Sequence, residues 1–124
     1  MQSDAESMEN KFPKQRRFPR HRCSVPIQLR PAGQPYPTSS ETTDVSLCGC
    51  YVKMLLPLPA GTVVDIRIGI GGREVTAKGA VKTSDPALGN GIEFTEMASS
   101  CRLGLQHYLQ TLPEVNPGAS EIIS

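Results

Sequence analysis

The sequence predicts an all-β fold, a six-stranded antiparallel β-barrel with one C-terminal α-helix packed against it. The 124-residue chain contains eleven glycines and eleven prolines, which is typical of short elements separated by turns. Apolar and polar residues alternate in several segments of residues 24–94, as in half-buried strands. After residue 98 the apolar spacing becomes helical. An antiparallel barrel with a helix buries both apolar faces and leaves few open strand edges.

The first strands are predicted around two loops. Apolar residues alternate over residues 24–30, and Pro26 indicates an edge strand or a bulge at its start. Three prolines and a glycine predict a loop over residues 31–40. Residues 41–44 are predicted to form a short strand that runs into a turn.

The remaining strands follow from alternation and turn residues. One face of the next strand carries Cys50, Val52 and Met54, and a long strand ends at Ile70. Gly71-Gly72 predicts a two-residue hairpin into a partner strand over residues 75–81. After a turn at 85–90, a last short strand faces the core with two apolar residues, Ile92 and Phe94.

A helix is predicted over residues 99–112, with Ser99 or Ser100 as the N-cap and Pro113 as the stop. Its apolar face consists of residues at helical spacing: Cys101, Leu105, Tyr108, Leu109 and Leu112. Residues 1–10 are predicted to be a disordered tail and residues 113–124 a flexible one. The domain then covers residues 11–112, with a basic loop at 11–23 and the barrel at 24–94.

Charge is unevenly distributed along a chain whose formal net charge is only +1. Residues 11–30 carry seven Lys or Arg and no acid, whereas the remaining residues carry six basic and twelve acidic side chains. This favours a specific anion site over a general polyanion surface. No secretory signal or membrane span is visible, so we expect a cytoplasmic protein. The four cysteines are expected to be reduced, buried or half-buried thiols, and no metal site is predicted.

Two clusters can carry chemistry. The first lies in residues 15–22, where Arg16 and Arg20 are four residues apart on a proline-stiffened segment. Arginine pairs bidentately with phosphate or with the O6/N7 edge of guanine, although a solvated basic linker is the alternative. The second contains Asp44, Ser46 and Gly49. It is either a structural β-turn or a guanine site in which Asp44 accepts from the base edge, Ser46 adds a hydroxyl and Gly49 leaves room.

Together these clusters resemble the signature of the PilZ domain family, RxxxR followed by [D/N]xSxxG. The matching segments are 16–20 and 44–49, and Asp44 comes 24 positions after Arg20. The resemblance extends to Gly61 before the long strand, to Gly79-x-Val81 and to residues 91–94 before the helix. It covers roughly residues 14–112.

The resemblance implies a six-stranded barrel that binds cyclic di-GMP, with no further cofactor. Arginines of the first motif hold guanine edges and phosphates, and the second motif holds a guanine on the barrel surface. The implied ligand-binding residues are Arg16, Arg17, Arg20, Asp44, Ser46 and Gly49. Some relatives stack an aromatic residue on the base from a position near Thr83, which cannot stack.

The predicted function is therefore a bacterial cyclic di-GMP receptor that orders its N-terminal loop and signals to a partner protein in trans. No catalytic constellation is visible, so no enzyme is predicted. The alternative is a nucleotide-independent adaptor on the same fold. Single-stranded nucleic acid is disfavoured because only Phe18, Tyr36 and Tyr51 offer stacking platforms. We expect a monomer, with a ligand-linked dimer as the alternative.

Overall fold

The computed structural model of the protein describes residues 19–113. The predicted tail at 1–10, all but the first residue of the predicted tail at 113–124, and most of the basic loop (11–18) lie outside the described residues. The elements, in chain order, are β1 (His21–Arg22), β2 (Pro26–Pro31), β3 (Thr38–Val45), β4 (Gly49–Lys53), β5 (Val63–Ile70), β6 (Arg73–Asp85), β7 (Gly89–Glu96) and α1 (Ser99–Leu109).

Six of the strands close into an antiparallel barrel. The strand order is β1-β3-β2-β5-β6-β7-β4, and β3 also pairs with β4, which closes the ring. The two-residue strand β1 is added to β3 outside the ring. The predicted barrel with a C-terminal helix is thus confirmed. No helix in the part of the chain that the structure describes is long and apolar enough to cross a membrane.

Alternating apolar residues fill the barrel interior, as the sequence pattern predicts. Each strand of the ring sends every second side chain inward, and the most deeply buried include Leu29, Val52, Val64 and Ile68. Helix α1 adds Leu105 and Leu109, which are 0% and 4% exposed. Burial of this aliphatic surface is the main favourable term for folding.

The predicted hairpin between β5 and β6 is confirmed at Gly71-Gly72. Their φ angles are 52° and 79°, so both central residues adopt the left-handed conformation of a type I′ turn. Glycine takes this conformation without a steric penalty.

Several boundaries differ from the prediction. Residues 21–22 of the predicted basic loop form β1, and β2 spans Pro26–Pro31 rather than 24–30. Strand β6 spans Arg73–Asp85 rather than 75–81, and β7 begins at Gly89, inside the predicted turn.

The start of β3 and both ends of the helix also differ. Strand β3 begins at Thr38 rather than at residue 41, because Thr38–Ser40 pair with β2 although they lack an apolar alternation. Helix α1 has Ala98 as its N-cap, with no side-chain capping hydrogen bond, so neither predicted serine caps it. The helix ends at Leu109, and residues up to Leu112 continue as a turn whose last bond joins the Leu112 N–H to the Leu109 carbonyl. Pro113 has no N–H to donate to the Leu109 carbonyl, and its ring would clash with that carbonyl, so the helix cannot continue through it.

Thr42 holds the chain before β2 against β3. Its side chain is fully buried, and its hydroxyl donates to the Cys23 carbonyl at 2.6 Å and accepts from the Val25 N–H at 3.1 Å. The backbone N–H groups of Cys23 and Thr42 bond across the same two segments, to Thr43 and Val25. A side chain therefore replaces ladder bonds between β1 and β2, and the residues before Cys23 stay on β3.

The substitution Thr42→Val keeps the shape of the side chain and removes its hydroxyl. Because the Cys23 carbonyl and the Val25 N–H would then be buried without that partner, we expect a loss of about 2 kcal/mol in the free energy of unfolding. Urea denaturation measures it. The exposed Thr95→Val serves as control and should change stability by less than about 0.5 kcal/mol. Equal stability of the two variants would contradict the role given to Thr42.

Candidate functional site

The two predicted motifs meet at the junction of β1 and β3. Register between these strands pairs Arg22 with Asp44. Just before β1, Arg20 Nε lies 3.2 Å from Asp44 Oδ1, with the two side chains 36% and 22% exposed. The fold thus brings together one arginine of the first motif and the carboxylate of the second, on the outside of the barrel.

Asp44 Oδ1 is buried and accepts no hydrogen bond among the described residues. Arg20 forms an ion pair with Asp44, but its N–H group is not directed at Oδ1 and makes no hydrogen bond. The negative charge of Asp44 is therefore compensated, whereas the lone pairs of Oδ1 have no donor. Buried acceptors without donors are rare because they lose their water and gain nothing in return. This carboxylate is suited to a ligand that brings N–H donors.

Ser46 shapes the turn between β3 and β4. It is 4% exposed, and its hydroxyl accepts from the Cys48 N–H at 3.1 Å while its own N–H donates to the Gly49 carbonyl at 2.8 Å. The hydroxyl also lies 3.4 Å from that carbonyl. The structure therefore gives Ser46 the turn role that the sequence left open, and its ligand contact remains a prediction.

Gly49 is required by a close approach of two strands. A Cβ at this position would lie 2.2 Å from the carbonyl oxygen of Ile92 on β7. Its φ is not positive, so the constraint is space and not backbone conformation. The room that Gly49 leaves is filled by β7, and a ligand contact at this residue also remains a prediction.

Tyr51 is a site residue that motif reasoning did not select. Strand register places it between Asp44 on β3 and Gly91 on β7. Its hydroxyl donates to Asp85 Oδ2 at 2.6 Å, and this bond, with smaller contributions from burial and the negative charge of Asp85 and Asp44, raises the pKa of Tyr51 to about 12. The available signal was its position two residues after Gly49, on the outward face of a strand whose neighbours Cys50 and Val52 point inward.

The cysteines do not form a reactive or metal-binding cluster in the structure. All four are free, and burial together with the charge of Asp44 raises the pKa of the Cys50 thiol to about 12, so it is not a thiolate at neutral pH. Cys48 is exposed, unlike the buried or half-buried thiol that was expected. Within residues 19–113 no three His, Cys, Asp or Glu side chains are placed to hold a metal ion.

A groove of about 760 Å³ lies away from this site, on the outside of β2, β5 and β6. Three of its charged side chains pair with one another, since Asp65 contacts both Arg30 and Lys78. The hydrogen bond from Lys78, together with the charges of both cations, lowers the pKa of Asp65. We therefore place the candidate site at Arg20 and Asp44, where an acceptor is left without a donor, and not in this groove.

Of the predicted site residues, Arg20 and Asp44 are in contact, and Ser46 and Gly49 form the turn that follows. Arg16 and Arg17 lie outside the described residues.

The substitution Gly49→Ala should destabilise the protein even without ligand. Its methyl group would overlap the Ile92 carbonyl, so β4 and β7 must separate, and we expect a loss of about 2 kcal/mol or more in urea unfolding. The matched control is Gly104→Ala in α1, where the nearest atom is the flexible end of Arg73 at 3.1 Å. That variant should be neutral or slightly stabilising, because alanine favours helix. A stable Gly49→Ala protein that has lost only ligand binding would show that this glycine serves the ligand alone.

Comparison with known proteins gives a family and a fold. The family model described as "PilZ domain" matches residues 14–110. No curated protein sequence matches the chain.

Three solved structures share the fold at low sequence identity. The PilZ domain of CeSA from a cellulose-synthesizing bacterium has 21% identity and a TM-score of 0.60, over 74% of this chain and 95% of that one. The Bacillus subtilis inhibitor of motility MotI/DgrA has 17% identity and a TM-score of 0.65, over 79% of this chain and 50% of that one. The chain thus spans about half of the B. subtilis protein. The PilZ domain of YcgR from Escherichia coli, solved with c-di-GMP, has 14% identity and a TM-score of 0.65, over 80% and 92% of the two chains. With a family model that covers most of its length and a barrel of the same fold, the chain belongs to the PilZ domain family.

Proposed function

We propose that the protein is a receptor for cyclic di-GMP and has no enzyme activity of its own. The observation that carries this proposal is the contact between Arg20 and Asp44, with a buried Oδ1 that accepts no hydrogen bond among the described residues. Family membership supports it, as does the structure of one family member, YcgR, with c-di-GMP.

Each residue of the proposed site matches a group of the ligand. Asp44 accepts from the N1–H and N2–H₂ edge of one guanine, which supplies donors to the carboxylate when Arg20 turns from Oδ1 to the ligand. Arg16 and Arg20 bind guanine edges or phosphates with their planar forks of N–H groups, and Arg17 adds charge for a phosphate. Ser46 and Gly49 fix the turn that holds Asp44 in place.

The proposed output is an ordering of the N-terminal basic segment over the barrel face. Residues 21–25 are already bonded to β3, so ligand binding at Arg16 and Arg20 extends this contact toward the N-terminus. The ordered segment then presents an altered surface to a partner protein in trans, in the bacterial cytoplasm.

A nucleotide-independent adaptor is the second candidate. The observation that favours it is a set of exposed leucines at the barrel end opposite the motifs. Leu55, Leu56 and Leu88 are 78%, 84% and 68% exposed, and the Met54 N–H bonds to the Leu88 carbonyl, which joins their two loops. Such apolar residues suit contact with a protein.

Calorimetric titration with cyclic di-GMP separates these two functions. The wild type should bind, and the double variant Arg16→Ala, Arg20→Ala should bind about 100-fold more weakly, because each charged hydrogen bond contributes about 1.5 kcal/mol or more. Arg67→Ala is the matched control. The Arg67 side chain is 63% exposed on β5 and makes a single long ion pair, 3.9 Å from Glu74. Because it lies away from the proposed site, its removal should not change the affinity for cyclic di-GMP. No binding by the wild type in calorimetry and in a second method would favour the adaptor.

Amide hydrogen exchange tests the proposed output. Cyclic di-GMP should slow exchange in residues 11–20, because the arginines there are held against the barrel. The Cys23 amide is an internal reference, since it already donates to the Thr43 carbonyl at 3.0 Å and should be protected with or without ligand. Binding without any change of protection in residues 11–20 would reject ordering of this segment as the signal.

A further inference from the structure

Tyr51 forms part of a row of residues across the outer face of the barrel. Strand register gives the order Arg22 on β1, Asp44 on β3, Tyr51 on β4, Gly91 on β7 and Thr83 on β6. Neighbouring residues in such a row have Cα atoms about 5 Å apart. Tyr51 is therefore on the strand next to Asp44, whose carboxylate is proposed to bind the guanine edge.

Two glycines on β7 leave room for the ring to lie over that strand. A Cβ at Gly89 would lie 3.0 Å from Tyr51 Cε2, and a Cβ at Gly91 would lie 3.7 Å from Tyr51 Cδ1. The ring thus lies against the backbone of β7. A side chain at position 89 would meet the Val52 carbonyl oxygen first and the ring next, whereas at position 91 the ring is at ordinary contact distance. One ring face is turned to the glycines, and the residue is only half-buried.

Asp85 fixes the far end of the side chain. The Tyr51 hydroxyl donates to Asp85 Oδ2 at 2.6 Å, so the side chain reaches from β4 across β7 to the end of β6. Packing against β7 and one hydrogen bond therefore restrict the ring before any ligand arrives. Restricting a recognition group in advance lowers the entropy cost of binding.

A fixed aromatic surface beside a guanine-reading carboxylate has a direct use in nucleotide recognition. Stacking of a base on an aromatic side chain strengthens binding and accepts any base, whereas hydrogen bonds to the base edge select one. Thr83 lies on the same row, and its hydroxyl accepts from the Gly91 N–H. Tyr51 is the aromatic residue on this row.

Building on the proposed function, in which Asp44 reads the guanine edge, we propose that Tyr51 is the base-stacking residue of the site and that Asp85 is a positioning residue for the ring. Tyr51 then contributes affinity to purine dinucleotides in general, and Asp44 contributes the preference for guanine.

Affinity measurements test the stacking role. Tyr51→Ala should weaken cyclic di-GMP binding roughly tenfold, equivalent to about 1.4 kcal/mol. The control Tyr36→Ala removes a tyrosine that is 79% exposed in the β2–β3 loop, and it should leave affinity within twofold. Asp85→Ala should weaken binding by a smaller factor in the wild type and have no further effect in a Tyr51→Ala background. A residue that served only stability would not show this dependence.

Fluorescence provides a readout of stacking that does not depend on a loss of binding. The chain contains no tryptophan, so Tyr51→Trp introduces a single indole at the proposed platform. Its emission should be quenched by cyclic di-GMP and, at higher concentration, by cyclic di-AMP. This variant also keeps the test decisive if Tyr51→Ala does not fold.

The outcomes separate the two proposals. If the wild type binds and folded Tyr51→Ala binds within twofold of it, or if the indole is not quenched at saturation, the inference fails and the receptor function stands. If the wild type does not bind cyclic di-GMP, the receptor function fails and the stacking role fails with it.

Discussion

The buried hydroxyl of Thr42 is the contact on which the candidate site depends. Strand β2 leaves β3 at Pro26, and without further bonds the chain before it would be free to leave the barrel. The Thr42 hydroxyl bonds both Cys23 and Val25, and the backbone bonds from Cys23 to Thr43 and from Thr42 to Val25 join the same two segments. Together they keep β1 paired with β3 as far as Val45. The buried contact of Thr42 thus places Arg20 beside the Asp44 carboxylate on the outside of the barrel. Attraction between the two charges alone would not fix the distance between Arg20 and Asp44.

The second motif shows how one set of residues can serve fold and ligand together. Ser46 closes the turn, Gly49 permits the contact of β4 with β7, and these two constraints hold Asp44 at the surface. Of the three, Asp44 alone has an oxygen left without a donor in the described structure. We infer that Ser46 and Gly49 stabilise the turn, and that the turn serves function by fixing the position of the Asp44 carboxylate.

Particular residues explain what the sequence could and could not predict. The barrel strands were predictable because apolar residues such as Val25, Ile27 and Leu29 alternate with polar ones along most strands. The β5–β6 turn was predictable because Gly71-Gly72 can adopt the positive φ angles that the turn requires. The start of β3 was not, since Thr38–Ser40 are held by pairing with β2 and carry no apolar pattern. The fit of Gly49 against β7 and the bond from Tyr51 to Asp85 join residues far apart in the chain, and only the closed barrel reveals them.

The most direct test of the site is a titration of the amide resonances of the protein with cyclic di-GMP by NMR. A receptor with its site at β1, β3 and β4 should show shifts that saturate at Arg20, Asp44, Gly49 and Tyr51. Residues of the groove on β2, β5 and β6, such as Gln28 and Thr76, should stay unchanged. Shifts confined to that groove would contradict the site proposed at Arg20 and Asp44. The absence of any shift would contradict the receptor function itself.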